Sequence, residues 1–245
     1  KNFRKDLRLE TMLEILKSNR FITCHSYVQS EINMLMDVAE RFDFRVQTFT
    51  HILEGYKVAD KMKKHGANAS TFSDWWAYKE EVREAIPYNA ALLLQAGVNV
   101  AINSDDAEMA RRLNQEAGKA VKYGNVPQED AWKMVTLNPA KMLQIDHKVG
   151  SIEPGKDADL VLWTDNPLSI YATVDKTFVD GTLYFDAAQQ QRKDQMVKDE
   201  KNRIIQKMLF SEDAGKGNTQ SAEKKQRVLY HCDTLEGEEH ESHSH

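Results

Sequence analysis

Short apolar runs alternate with segments of helical periodicity throughout the first half of the chain. Strands are predicted at 21–24, 44–50, 67–72 and 98–103, and each is followed by apolar residues three and four positions apart. This alternation is typical of βαβ units, whose strands form a parallel sheet. We therefore predict an α/β fold for residues 1–140.

A helix is predicted to begin at Pro127 and to end near Asn138-Pro139, because the residue before a proline disfavours the helical conformation. The alternation of strands and helices stops after this helix. Beyond it, glycines and prolines separate short β segments, and Asp180-Gly181 is typical of a hairpin turn. Residues 141–186 are predicted to form a small β domain. Residues 187–245 are predicted to be a charged tail, helical around 196–209 and otherwise flexible.

The sequence begins just before a segment that already has the apolar spacing of a helix. Apolar residues between 7 and 16 already have helical spacing, and the first residue, Lys1, is not a methionine. We therefore expect the protein to begin upstream of this chain.

Composition excludes several classes of function. The 245 residues are 41% hydrophobic, enough for a buried core, and 33 basic against 38 acidic residues give a net charge of -5. There is no basic stripe for nucleic acid, and no apolar run reaches the roughly 20 residues that cross a membrane. Cys24 and Cys232 are too few for a disulfide framework. The charge balance leaves small, roughly neutral partners open.

Three residues end or follow different predicted strands: His25, His51 and Asp105. In a parallel α/β barrel the carboxyl ends of the strands meet at one mouth, where catalytic groups lie. Imidazole and carboxylate together bind borderline divalent ions. Each residue also has a structural interpretation, since strand-end histidines often pack internally and Asp105 with Glu108 fits a capping box. We assign the neighbouring Asp106 to helix capping.

Five blocks follow one another in a recognisable order. They are Cys24-His25-Ser26, Phe49-Thr50-His51, Ser104-Asp105, Thr136-Leu137-Asn138-Pro139-Ala140 and the segment 150–161, Gly-Ser-Ile-Glu-Pro-Gly-Lys-Asp-Ala-Asp-Leu-Val. In these blocks and in their order the sequence resembles the amidohydrolase superfamily. The last segment is specific and is similar to the family's return from barrel to β-sandwich. The resemblance covers residues 1–186.

The resemblance implies the C-terminal half of a (β/α)8 TIM-type barrel, strands five to eight, followed by part of a β-sandwich. It also implies that His25 and His51 bind a divalent metal, with Asp105 as both ligand and general base for a metal-activated water. Zinc suits these ligands, as one or two ions, although manganese and iron are also compatible. The expected reaction is hydrolysis of a C–N bond in a cyclic amide, an amidine or a small peptide.

Two family motifs are absent from this chain, namely the His-x-His pair of strand one and the strand-four lysine. Both would lie upstream, so we expect the chain to need the missing N-terminal half as its partner and to be inactive alone. The alternative is a non-catalytic scaffold or interaction domain whose metal site has degenerated.

Four further residues follow the predicted strands and are candidates for substrate binding. They are Glu54, Tyr56, Asp74 and Trp75. A helix start explains the first two equally well, and packing against the barrel shell explains Trp75. The tail helix is expected to dock either on the barrel or on a second subunit, and the second arrangement would make a homo-oligomer. The similarity to long exported bacterial proteins favours the periplasm over the cytoplasm.

Overall fold

The computed structural model describes residues 4–77 and 79–210 of the chain. The strands are β1 (Ile22–Ser26), β2 (Val46–His51), β3 (Asn68–Thr71), β4 (Val100–Ile102), β5 (Leu160–Trp163), β6 (Val174–Val179) and β7 (Thr182–Asp186). The α-helices are α1 (Leu7–Leu16), α2 (Gln29–Arg41), α3 (Ala59–His65), α4 (Asn89–Gln95), α5 (Ala107–Ala110), α6 (Leu113–Gly124), α7 (Gln128–Lys133), α8 (Leu137–Met142) and α9 (Ala187–Leu209). Short 3-10 turns lie at Gly55–Val58 and Glu80–Val82.

The chain forms two units. The first runs to Ala158 and includes Asp165–Ala172, whereas the second contains Asp159–Thr164 and resumes at Thr173. None of the helices that the structure describes has the length and apolar content to cross a membrane.

The first unit contains a parallel sheet in which β1, β2, β3 and β4 are neighbours in chain order. Helices connect the successive strands, so each connection is a βαβ crossover. In a (β/α)8 barrel, consecutive strands are likewise neighbours in the sheet and are joined by helices. The α/β prediction is confirmed.

The two faces of this sheet differ in polarity because side chains alternate along a strand. Phe49, Ala69 and Val100 are buried in the hydrophobic core. The opposite face carries polar residues, and hydrogen bonds join them across strands: Asn99 Nδ2 to Asn68 Oδ1 (3.1 Å) and Ser70 Oγ to Asn103 Oδ1 (2.9 Å). The side that would face a barrel interior is therefore hydrophilic.

Helices α4 and α6 pack closely at Gly124. A methyl group added to Gly124 would lie 2.2 Å from the Cβ of Ala91. Gly124→Ala is expected to lower the free energy of unfolding by about 1–3 kcal/mol, because overpacking outweighs alanine's helix propensity. Urea unfolding of the full chain would measure the loss.

The matched control for this substitution moves the glycine across the contact. In Ala91→Gly/Gly124→Ala the added methyl group replaces the one removed, so most of the stability should return. A Gly124→Ala variant as stable as the wild type would contradict this interpretation of the packing.

The second unit contains an antiparallel sheet, in the order β5, β6, β7. Asp180 and Gly181 connect β6 to β7 with φ values of 52° and 74°. Positive φ at both central positions is the requirement of a type I′ hairpin turn, as predicted from the sequence. Asp186 then caps α9, since its carboxylate accepts a hydrogen bond from Gln189 N.

One predicted helix end is wrong. Asn138-Pro139 was expected to stop a helix, but both residues lie inside α8. Pro139 is the third residue of that helix, where its missing N–H would have no intrahelical partner, so the proline is tolerated. The tail beyond Phe210, with Cys232, lies outside the described residues.

Candidate active site

The carboxyl ends of β1, β2 and β4 bring His25, His51 and Asp105 together. His51 Nε2 lies 2.7 Å from His25 Nδ1, and His51 Nδ1 lies 3.5 Å from Asp105 Oδ2. The parallel register explains the first contact, since Ser26, next to His25, is paired with His51. The structure thus joins the three predicted residues in one chain of contacts, with His51 in the middle.

The backbone at His51 is in an unusual conformation. The φ angles of His51 and Ile52 are 75° and 20°, a region that non-glycine residues rarely adopt. Hydrogen bonds hold this turn: Thr71 Oγ1 donates to His51 O (3.0 Å), and Ile52 N donates to Ser26 O (2.8 Å). Backbone strain maintained by its surroundings is a common feature of functional sites.

Aromatic rings surround the His51 imidazole, which is 1% exposed. The ring of Tyr27 stacks on it at 4.9 Å and that of Phe72 at 5.1 Å, and Trp75 stacks on Phe72 at 4.5 Å. These rings exclude water and fix the orientation of the imidazole. Electrostatic interactions of His51 are therefore stronger than they would be in water.

The side-chain types at this site fit a divalent ion. Two imidazole nitrogens bound to one zinc ion would be about 3.3 Å apart, given Zn–N distances near 2.0–2.1 Å. The 2.7 Å between His25 and His51 is instead a hydrogen-bond distance, so the two rings would have to separate slightly. Among the described residues, no three His, Cys, Asp or Glu side chains are in a metal-binding arrangement.

Glu54 and Tyr56 occupy structural positions beside the site. Glu54 is buried, and its carboxylate accepts hydrogen bonds from Gln29 N (3.0 Å) and Lys57 Nζ (3.1 Å). The hydroxyl of Tyr56 donates to Glu84 O (3.0 Å). These contacts join the segments that follow β1, β2 and β3, while the predicted contact with substrate stays a prediction.

Asp74 and Trp75 follow β3. Trp75 Nε1 donates to Met109 Sδ (3.1 Å), and its ring ends the aromatic stack on His51. Asp74 forms an ion pair with Lys119 at 2.8 Å. Trp75 therefore belongs to the wall around His51, whereas Asp74 points to a different set of charges.

The ion-pair network of Lys119, Asp74 and Glu116 was not predicted from the sequence. Lys119 Nζ lies 2.9 Å from Glu116 Oε1, and the buried Glu116 also accepts a hydrogen bond from Ser73 Oγ. Burial lowers the pKa of Lys119, but hydrogen bonds to Asp74 and Glu116 outweigh it and leave the pKa above its ordinary value. The i, i+3 spacing of Glu116 and Lys119 was the available signal.

Two other residues were also missed. Tyr27 stacks on His51, and Lys79 Nζ lies 3.9 Å from the centre of the Tyr27 ring, within cation–π range. The signal for Tyr27 was its place two residues after His25. The other neighbour, Asp106, is the cap of α5 as predicted, because its Oδ1 accepts hydrogen bonds from Glu108 N and Met109 N.

A family model described as "Amidohydrolase family" matches residues 77–209, which is more than half of the chain and includes Asp105. This chain belongs to the amidohydrolase family. The parallel order of β1 to β4 agrees with that membership.

Individual relatives match longer stretches of the chain than the family model does. The amidohydrolase tasK of Hapsidospora irregularis is 27% identical over 187 residues, covering 74% of this chain and 19% of that protein. The imidazolonepropionase of Thermoplasma volcanium is 29% identical over 169 residues, covering 66% of this chain and 41% of the relative. The chain therefore spans less than half the length of these relatives.

The fold is also that of a solved amidohydrolase. The crystal structure of an amidohydrolase from Thermotoga maritima MSB8 superposes with a TM-score of 0.68 at 29% identity, covering 76% of this chain and 49% of that structure. The parallel sheet and helices described above therefore correspond to about half of an amidohydrolase.

Proposed function

We propose that this chain is the C-terminal part of a longer metal-dependent hydrolase that cleaves C–N bonds in a small molecule or small peptide. The observation that carries the proposal is the contact of His25, His51 and Asp105 at the ends of three strands, in a chain of the amidohydrolase family. Relatives named amidohydrolase and imidazolonepropionase support the class of reaction.

The three residues have different roles in this proposal. His25 and His51 would hold the ion through their ring nitrogens, with zinc as the expected metal. The ion would supply Lewis-acid activation of water, as divalent ions do in hydrolases. The carboxylate of Asp105 accepts the proton of the attacking water and returns it to the leaving nitrogen.

The remaining ligands would come from the upstream part of the protein. Two imidazoles and one carboxylate from this chain leave the site incomplete, and a half barrel leaves a strand edge unpaired. The chain alone is therefore expected to be inactive, and the longer protein is the species to assay.

The alternative function is a non-catalytic scaffold with a degenerate site. The direct His25–His51 hydrogen bond favours it, because two rings bonded to each other need no ion. A degenerate site would retain the fold and the aromatic stack but would neither retain divalent metal nor hydrolyse amides.

Hydrolysis by the longer protein tests the proposal. A panel of cyclic amides, amidines and dipeptides should include a substrate whose cleavage stops on chelation and resumes with added zinc. Asp105→Asn should lower kcat/KM by about 10²–10⁴, the usual contribution of a general base. Asp106→Asn is the matched control, because Asp106 caps α5, and its activity should stay near wild type. Equal activity of Asp105→Asn and wild type would refute the assigned role.

A further inference from the structure

Helix α9 exposes apolar side chains on one face. Met196 and Val197 are 71% and 67% exposed, and Ile204 and Ile205 are exposed about two turns further on. Glu200 and Lys201 lie between these two pairs, and all six residues line one shallow groove on the helix. Exposed apolar surface of this kind marks contact sites in many proteins.

The order of residues in this groove is symmetric about the midpoint between Glu200 and Lys201. Moving outward from that midpoint, Val197 corresponds to Ile204 and Met196 to Ile205. The two central residues have opposite charges. A surface with this order matches its own copy when that copy runs in the opposite direction.

We propose that α9 pairs with α9 of a second copy of this chain, antiparallel, with a twofold axis between Glu200 and Lys201. Each copy then places Glu200 against Lys201 of the other, and Val197 against Ile204 of the other. The apolar pairs lie on both sides of two ion pairs. The helix is 23 residues long, enough for several turns of contact.

The charges favour this direction over a parallel one. In a parallel pair in register, Glu200 would face Glu200 and Lys201 would face Lys201, so like charges would meet. Glu200 already pairs with Arg203 of its own helix, at 2.7 and 2.8 Å. In the antiparallel pair, Lys201 of the second copy lies beside the Glu200 carboxylate. In the parallel pair, a second Glu200 carboxylate lies there.

Charge reversal tests the proposal through the association of the full chain, measured by sedimentation velocity over a concentration series. The wild type should dimerise weakly, with a dissociation constant on the order of 10–100 µM, since a contact between two single helices belongs to the class of small, transient interfaces. Glu200→Lys and Lys201→Glu should each weaken dimerisation at least about tenfold, since each places like charges together. The double variant Glu200→Lys/Lys201→Glu restores opposite charges and should return to within about threefold of wild type.

The control reverses a charge on the opposite side of the helix. Asp199 points away from the groove, and its carboxylate accepts a hydrogen bond from Gln195, so Asp199→Lys should dimerise like the wild type. Helical content by circular dichroism shows that each variant is folded. A wild-type chain that is monomeric at about 1 mM, ten times the upper value of the expected dissociation constant, would overturn the proposal. Failure of the double variant to recover would also overturn it.

Discussion

In the metal-dependent hydrolase that we propose, replacement of His51 by alanine is expected to remove the divalent ion. His51 lies between His25 and Asp105, so its loss would remove a ligand and also the contact that aligns the other two. Loss of groups that merely orient a ligand weakens metal binding about 10–100-fold, and loss of a ligand should exceed this range. Metal content per chain, measured after dialysis, should fall from stoichiometric to background in His51→Ala and His25→Ala.

The control for these variants is another buried histidine. His65 lies at the other end of β2, where its Nε2 accepts a hydrogen bond from Val46 N at 3.2 Å. His65→Ala should lower stability but leave the metal content unchanged. Stoichiometric metal in all three variants would rule out His25 and His51 as ligands, and absence of metal from the wild type would favour the scaffold alternative.

Replacement of Lys119 by methionine is expected to lower the free energy of unfolding by about 2–3 kcal/mol at neutral pH. The lysine lies between the carboxylates of Asp74 and Glu116, so its removal leaves two acidic groups near each other without a cation. Glu116 is 6% exposed, and water cannot replace the lost partner well. Urea unfolding of the full chain would measure the difference from wild type.

The stabilisation of the folded state by Lys119 should decrease at high pH. Its pKa is raised in the folded protein, so its stabilising effect is fully present below the unfolded value of 10.5 and decreases as pH rises through the folded pKa. The difference in free energy of unfolding between wild type and Lys119→Met should therefore stay constant from pH 7 to about 9 and become smaller above 10.5.

The matched control is Lys122→Met on the same helix. Lys122 is exposed and lies 5.7 Å from the centre of the Tyr123 ring, so its replacement should cost less than about 1 kcal/mol. If Lys122→Met and Lys119→Met lowered stability equally, the network of Lys119, Asp74 and Glu116 would not be stabilising the unit as we infer.

The local pattern of the sequence predicted the first four strands and their parallel arrangement, although the observed strand ends differ from the predicted ones by one or two residues. Side-chain alternation and helical spacing repeat within a few residues, and these periods are visible without any knowledge of the fold. His25 and His51 were predicted at strand ends for this reason, and the hairpin at Asp180-Gly181 follows from the left-handed conformations that aspartate and glycine allow.

Only the tertiary structure decided which side chains meet around the three residues that the sequence had placed at one site. Ser73 and Glu116 are 43 residues apart in the chain, and their hydrogen bond depends on how α6 packs near the end of β3. The stack of Tyr27, His51, Phe72 and Trp75 likewise joins side chains from the carboxyl ends of three strands. Such contacts depend on strand register and helix packing, which sum many non-local interactions, so no short segment of sequence contains them.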